Sequence, residues 1–122
     1  MVPKEIDAFI EPMIAMASSQ FPRSCNSCKR LYPDFRRFIL ETKPIGTPTV
    51  ALEMPVDPFG MISWSNCACG NTMILMCQDV SHAMHDRFAQ TLKAVSQESG
   101  RPVDELLKDI REEVRRRASD NA

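Results

Sequence analysis

Several things are scarce in this chain of 122 residues, and each scarcity closes off a class of function. Glycine occurs only four times, and "KPIGTPT" holds just one, so no loop offers the several converging backbone amides that cradle a phosphate. No Ser/His/Asp order and no paired-carboxylate arrangement stands out, so the chain is expected not to be an enzyme. No apolar run approaches the roughly 18 residues that a membrane-spanning helix needs. The N-terminal "MVPKEIDAFIEPM" places Glu5, Asp7 and Glu11 where an export leader requires an uncharged core. A formal charge of -1 gives no global attraction to nucleic acid or anionic membrane. No internal repeat is visible.

The apolar fraction of 43% and charged fraction of 25% are those of an ordinary folded domain rather than a disordered one. The charge is uneven. Arg23, Lys29, Arg30, Arg36, Arg37 and Lys43 exceed Asp34 and Glu41 by four, whereas from Pro44 to Asp79 there is no cation at all, only Glu53, Asp57 and Asp79.

Periodicity predicts an α+β fold in three segments: an N-terminal amphipathic helix over 1–20, a four-cysteine module over 21–78 and a C-terminal helical hairpin over 79–122. Ile6, Phe9, Ile10, Met13 and Ala17 recur at helical spacing, with Pro12 expected to break or kink the helix near Glu11. Asp34 suits the N-cap of a short helix carrying Phe35, Phe38 and Ile39. "TKPIGTP" reads as a turn-rich connector, and "TVALEMPV", "GMISWSN" and "TMILMC" read as three strands. Pro55 and Pro58 would confine the first strand to an edge, and "DPFG" would turn it into the second. From about Val80, Met84, Phe88, Leu92 and Val95 share a helix face; Gly100 suits a helix stop and Pro102 the first turn of the next helix. That helix carries a narrow stripe of Val103, Leu106, Leu107, Ile110 and Val114, flanked by i, i+4 charge pairs such as Glu113 with Arg117. The stripe would dock on the Met84 face or on a second copy, so a homodimer is one expectation.

Five cysteines without an export leader point to a reducing compartment, cytoplasmic by default, where paired cysteines bind metal or exchange electrons more often than they form permanent disulfides. Cys25-x-x-Cys28 and Cys67-x-Cys69 are two short-spaced pairs, each able to grip one side of a tetrahedral ion. Gly70 follows the second pair directly and lets the backbone turn so that amides face the sulfurs. From Arg23 to Cys77 the chain resembles the zinc-ribbon group, with cysteine turns of the rubredoxin-knuckle type: a cysteine turn, a connector, then a β-hairpin bearing a second turn that ends in Cys-Gly. The resemblance implies Cys25, Cys28, Cys67 and Cys69 as ligands, with Zn2+ as the metal. Iron or an iron–sulfur cluster is the alternative for the same ligand types, and four reduced, metal-free core cysteines are the plain one. A full thiolate set leaves no position open for water, which suits a structural site.

Cys77 ends an apolar strand and reads as a small buried hydrophobe. His82 and His85, near Asp79 and Asp86, read as boundary or surface histidines, with a second metal site as the sharper reading. The basic residues of 23–43, interleaved with Phe21, Tyr32, Phe35 and Phe38, form either a phosphate-and-base surface or a solvated face over core aromatics; the second is favoured because the basic excess is small. The reading these features support together is a non-enzymatic zinc-binding regulatory or adaptor protein acting through protein contacts of its helices. A nucleic-acid-binding regulator and a thiol/zinc redox sensor are the alternatives.

Overall fold

The structure is a computed structural model that describes residues 2–50, 61–76 and 82–120, apart from the side chains of residues 50, 61, 76 and 82–85. Its elements in chain order are α1 (Lys4–Asp7), α2 (Ile10–Ser18), β1 (Arg23–Ser24), β2 (Leu31–Tyr32), α3 (Phe35–Glu41), β3 (Lys43–Val50), β4 (Met61–Asn66), β5 (Thr72–Met76), α4 (His82–Ser99) and α5 (Val103–Asp120). This is the mixed α+β class expected, with helices at both ends and antiparallel strands between them.

The N-terminal helix breaks at Ala8 and Phe9, a turn earlier than Glu11. Proline's ring clashes with the carbonyl four residues back, which for Pro12 is that of Ala8, and in the first turn of α2 its missing N–H leaves no bond unmade. Asp34 caps α3 as the sequence indicates, its carboxylate accepting the Arg37 amide at 2.7 Å. Gly100 ends α4 at a φ of +73°, its amide donating to the Ser96 carbonyl at 3.0 Å. Pro102 lies just ahead of α5 rather than inside its first turn, and its carbonyl accepts the amides of Glu105 and Leu106.

The larger departure from the sequence reading is "TKPIGTP". Most of it is strand, not connector: β3 pairs antiparallel with β4, and β4 with β5, in the order β3-β4-β5. Pro44 and Pro48 are tolerated because β3 is an outer strand, where a missing N–H breaks no central ladder. A bulge absorbs the rest, since Ile45 to Thr49 on β3 stands opposite only Trp64 to Ile62 on β4, with Gly46 at a φ of +63° inside it. Two arginines of α5 take up the carbonyls this irregular stretch leaves free. Arg111 Nη1 donates to Gly46 O at 2.7 Å and Ile45 O at 3.3 Å; Arg115 Nη2 donates to Ile39 O at 2.8 Å and Thr42 O at 3.0 Å, closing the C-terminus of α3. Of the "TVALEMPV" strand, Thr49 and Val50 lie in β3; Ala51–Val56, the "DPFG" turn and Cys77 are outside the described residues.

One cluster of buried side chains runs from Val2 to Ala118 and takes members from every helix. Ile6, Ile10, Met13, Phe88, Leu92, Leu106, Leu107 and Ile110 are its most enclosed aliphatic and aromatic members outside the cysteine region. The α5 stripe is therefore covered by the chain's own core, as hydrophobic burial favours. Arg117 ties the end of α5 back to the start of the chain through Asp7 and holds Glu113 at 2.6 Å. Among the described residues no helix is long and apolar enough to cross a membrane.

Candidate metal centre

The first cysteine pair sits on a hairpin that the sequence reading did not resolve. Arg23 pairs with Tyr32 and Ser24 with Leu31, so Cys25 and Cys28 occupy the loop between β1 and β2. The second pair occupies the turn between β4 and β5, as expected. The two turns are built alike. The Cys25 amide donates to Arg30 O at 3.0 Å and the Cys67 amide to Asn71 O at 2.9 Å, closing each loop at its base. The residue after each second cysteine has a positive φ: Gly70 at +95° and Lys29 at +66°. Glycine accepts this at no steric cost, whereas a residue with a Cβ does not, so the first turn holds its shape with local strain in Lys29.

These turns bring all four candidate ligands together. The Sγ atoms of Cys25, Cys28, Cys67 and Cys69 all lie within 4.8 Å of one another, with Cys25 to Cys69 at 3.7 Å and Cys28 to Cys67 at 3.6 Å. Four thiolates at about 2.3 Å from one tetrahedral ion would stand roughly 3.8 Å apart, so the donor set fits a metal ion both in size and in chemistry. Cys25 and Cys67 are buried in the hydrophobic cluster, while Cys28 and Cys69 are exposed.

Hydrogen-bond donors converge on the sulfurs. Backbone amides of Cys28 and Ser27, together with the Asn71 side chain at 3.4 Å, hold the Cys25 thiol down to about 6 against the opposing effect of burial. The Cys69 amide and the Tyr32 hydroxyl, which donates at 2.9 Å, lower Cys67. Cys69 receives the Asn71 amide, but desolvation and the adjacent thiols of Cys28, Cys25 and Cys67 outweigh it and push it up to about 11. Sulfurs this close cannot all ionise without a cation among them, so metal binding and proton release are linked here. Tyr32 is wholly buried, and burial followed by its bond to Cys67 pushes its pKa up, which keeps the hydroxyl protonated and a donor.

Tyr32 and Asn71 are the two site residues that the cysteine spacing did not reveal. Asn71 directly after Cys-Gly is a visible signal, whereas nothing local marks Tyr32. The aromatics of 23–43 are core, as the favoured reading has them: Tyr32, Phe35 and Phe38 are buried, with Tyr32 edge-on to Phe38 at 5.4 Å and Phe21 against Phe38 at 5.3 Å. Most of the neighbouring arginines are engaged within the chain. Arg23 donates to Ile74 O at 2.8 Å and Arg36 to Ser119 O at 3.1 Å, while Arg30 and Arg37 both bind Glu41. His82 and His85 lie at the start of α4 with side chains outside the described set, and Asp79 is outside it altogether.

No protein-family model, no curated protein and no solved structure matches this chain. The four clustered cysteines are compatible with a zinc-ribbon-like knuckle module and suggest a metal ion, on the strength of the chain's own geometry.

Proposed function

We propose that the chain is a small non-enzymatic zinc protein of regulatory or adaptor type, in which Cys25, Cys28, Cys67 and Cys69 hold one Zn2+ and the surrounding surface meets a protein partner. The observation that carries this reading is the convergence of four sulfurs, two from each hairpin, at the spacing of one coordination shell. A bound ion would supply charge neutralisation and a cross-link between the two hairpins, not a reactive centre, because four thiolates leave no ligand position for substrate. A multi-iron cluster distributes its thiolates over different metal atoms and so over a wider span than this one; a single iron is the alternative that shares the geometry.

Support for a protein contact comes from the surface of the cysteine module. Leu31 in β2, Leu40 in α3 and Ile74 in β5 are 59%, 56% and 47% exposed, apolar side chains that folding leaves in water. The α5 stripe is occupied by the chain's own core, so a contact through the helices would use their outer faces, beside the exposed apolar side chains of this module.

Elemental analysis of freshly purified, untagged protein tests the reading, with an absorption spectrum of the same sample and Cys25→Ser and Cys69→Ser variants beside it. One zinc per chain, no visible absorption and metal loss in the variants are expected. Visible bands with iron would replace zinc with a redox-active ion, and a metal-free protein with its fold intact would overturn the centre.

A further inference from the structure

The four thiols are not equivalent, and we propose that Cys28 and Cys69 form the oxidisable edge of the cluster, the pair that a hydroperoxide reaches first and joins in a disulfide, while Cys25 and Cys67 are its protected half. The consequence for metal retention rests on the metal-centre reading above; the order of the thiols does not.

Two features separate the pairs. The first is access: Cys25 is 0% and Cys67 3% exposed, both packed in the hydrophobic cluster, whereas Cys28 and Cys69 face solvent. The second is hydrogen bonding from side chains. Tyr32 Oη donates to Cys67 at 2.9 Å and Asn71 Nδ2 to Cys25 at 3.4 Å, contacts that hold these two sulfurs in place and that either would have to give up to turn toward an oxidant. Reach is common to all four sulfurs: Cys28 and Cys69 lie within 4.8 Å of each other on the loops of two different hairpins, and the shortest separations run across the pairs, Cys25 to Cys69 at 3.7 Å and Cys28 to Cys67 at 3.6 Å, so access rather than distance selects Cys28 with Cys69.

The chemistry balances with a hydroperoxide as oxidant. One thiolate attacks the terminal peroxide oxygen; an S–O bond forms, the O–O bond breaks, and the leaving alkoxide or hydroxide takes a proton. The second thiolate then attacks the sulfenic sulfur; an S–S bond forms, the S–O bond breaks, and hydroxide leaves as water after taking a second proton. The cysteines lose two electrons, and the peroxide gains them. Two of the four ligands are then spent, which leaves Cys25 and Cys67 too few to retain a zinc ion, yet the new disulfide bridges the same two hairpins that the ion would. Metal release without unfolding is the outcome this geometry favours.

The test uses the full-length protein with its metal content measured beforehand. It is treated with one equivalent of tert-butyl hydroperoxide, alkylated under denaturing conditions and peptide-mapped. The expected first product is a Cys28–Cys69 disulfide, with Cys25 and Cys67 recovered alkylated, zinc released in step and the helical circular dichroism retained. Brief N-ethylmaleimide labelling of the native protein should modify Cys28 and Cys69 faster than Cys25 and Cys67 by about tenfold or more. A first disulfide involving Cys25, Cys67 or Cys77, or equal labelling of all four, overturns the proposal. A metal-free preparation that still labels in the expected order would overturn the zinc reading and leave this one standing.

Discussion

Removing one oxygen atom, in Tyr32→Phe, isolates what the protein matrix contributes to the cysteine centre. The ring is fully buried and packs edge-on against Phe38 at 5.4 Å, with the Arg30 guanidinium 5.8 Å from its centroid, and phenylalanine keeps all of that. Only the hydroxyl donated to Cys67 Sγ at 2.9 Å is lost. A hydrogen bond to a charged acceptor contributes roughly 1.5–3 kcal/mol. At about 1.4 kcal/mol per decade that corresponds to a loss of about 10–150-fold in metal affinity. The Cys69 backbone amide still serves Cys67, so the lower end, about tenfold, is expected, in line with the usual effect of removing a partner that supports a ligand. The assay is competition for Zn2+ against a chromophoric chelator, with thermal unfolding of the metal-loaded variant to show that the core is unchanged. Asn71→Ala is the internal control for distance: its contact with Cys25 is longer, at 3.4 Å, and its loss should weaken binding less. Unchanged affinity in a folded Tyr32→Phe protein would refute the claim that this hydroxyl stabilises a metal-bound thiolate.

Two further outcomes follow from the backbone and from the charge network. Lys29 has a φ of +66° where Gly70 stands in the matching turn, so Lys29→Gly should stabilise the folded protein by about 0.5–1 kcal/mol in chemical denaturation despite glycine's greater freedom when unfolded; a loss of stability would show that the lysine side chain matters more than the strain. Glu113 is held down to about 2 by the guanidinium of Arg116 and then that of Arg117, burial opposing, so its contribution is complete above the ordinary glutamate value of 4.5 and disappears as pH falls through about 2. Arg116 is 60% exposed and screened, which limits the contribution to about 1 kcal/mol; Glu113→Gln should therefore lose about that much at pH 7 and converge with the unmodified protein as the pH approaches 2, and a constant difference across that window would exclude the linkage.

The parts of this fold that were legible in the sequence are those whose cause is local. Asp34 caps α3 with its own side chain, Gly100 ends α4 with its own φ, and the β4–β5 turn follows from two apolar runs flanking Cys67-Ala68-Cys69-Gly70. What escaped depends on partners distant in the chain. "TKPIGTP" looks like a connector because two prolines and a glycine argue against a strand, and it becomes one because Arg111, sixty-five residues beyond Gly46, supplies the donor that the bulge needs. The same holds within the site: cysteine spacing announces the ligands, but Tyr32 is brought to Cys67 only when the β1–β2 hairpin docks against the β4–β5 turn. Pro12 breaks the N-terminal helix as its residue type dictates, but at Ala8 and Phe9 rather than near Glu11, since its clash acts on the carbonyl behind it.

Charge gives the last link between sequence and site. The excess of cations between Arg23 and Lys43 resembles a phosphate-binding run when viewed as a string, but the fold pairs most of it at the surface with partners of the same chain. Arg30 and Arg37 share Glu41, Arg23 and Arg36 bind carbonyls, and Arg30, held first by Glu41, is also favoured by the nearby Cys67 sulfur. Four thiolates around a dication carry a net charge of about -2, which must be balanced nearby if half of the cluster is buried. The second half of the module offers no lysine or arginine from Pro44 to Asp79, so any compensating cation comes from elsewhere in the chain. Of the cations in this run, Arg30 on the β1–β2 hairpin is the one whose charge the Cys67 sulfur favours, after Glu41.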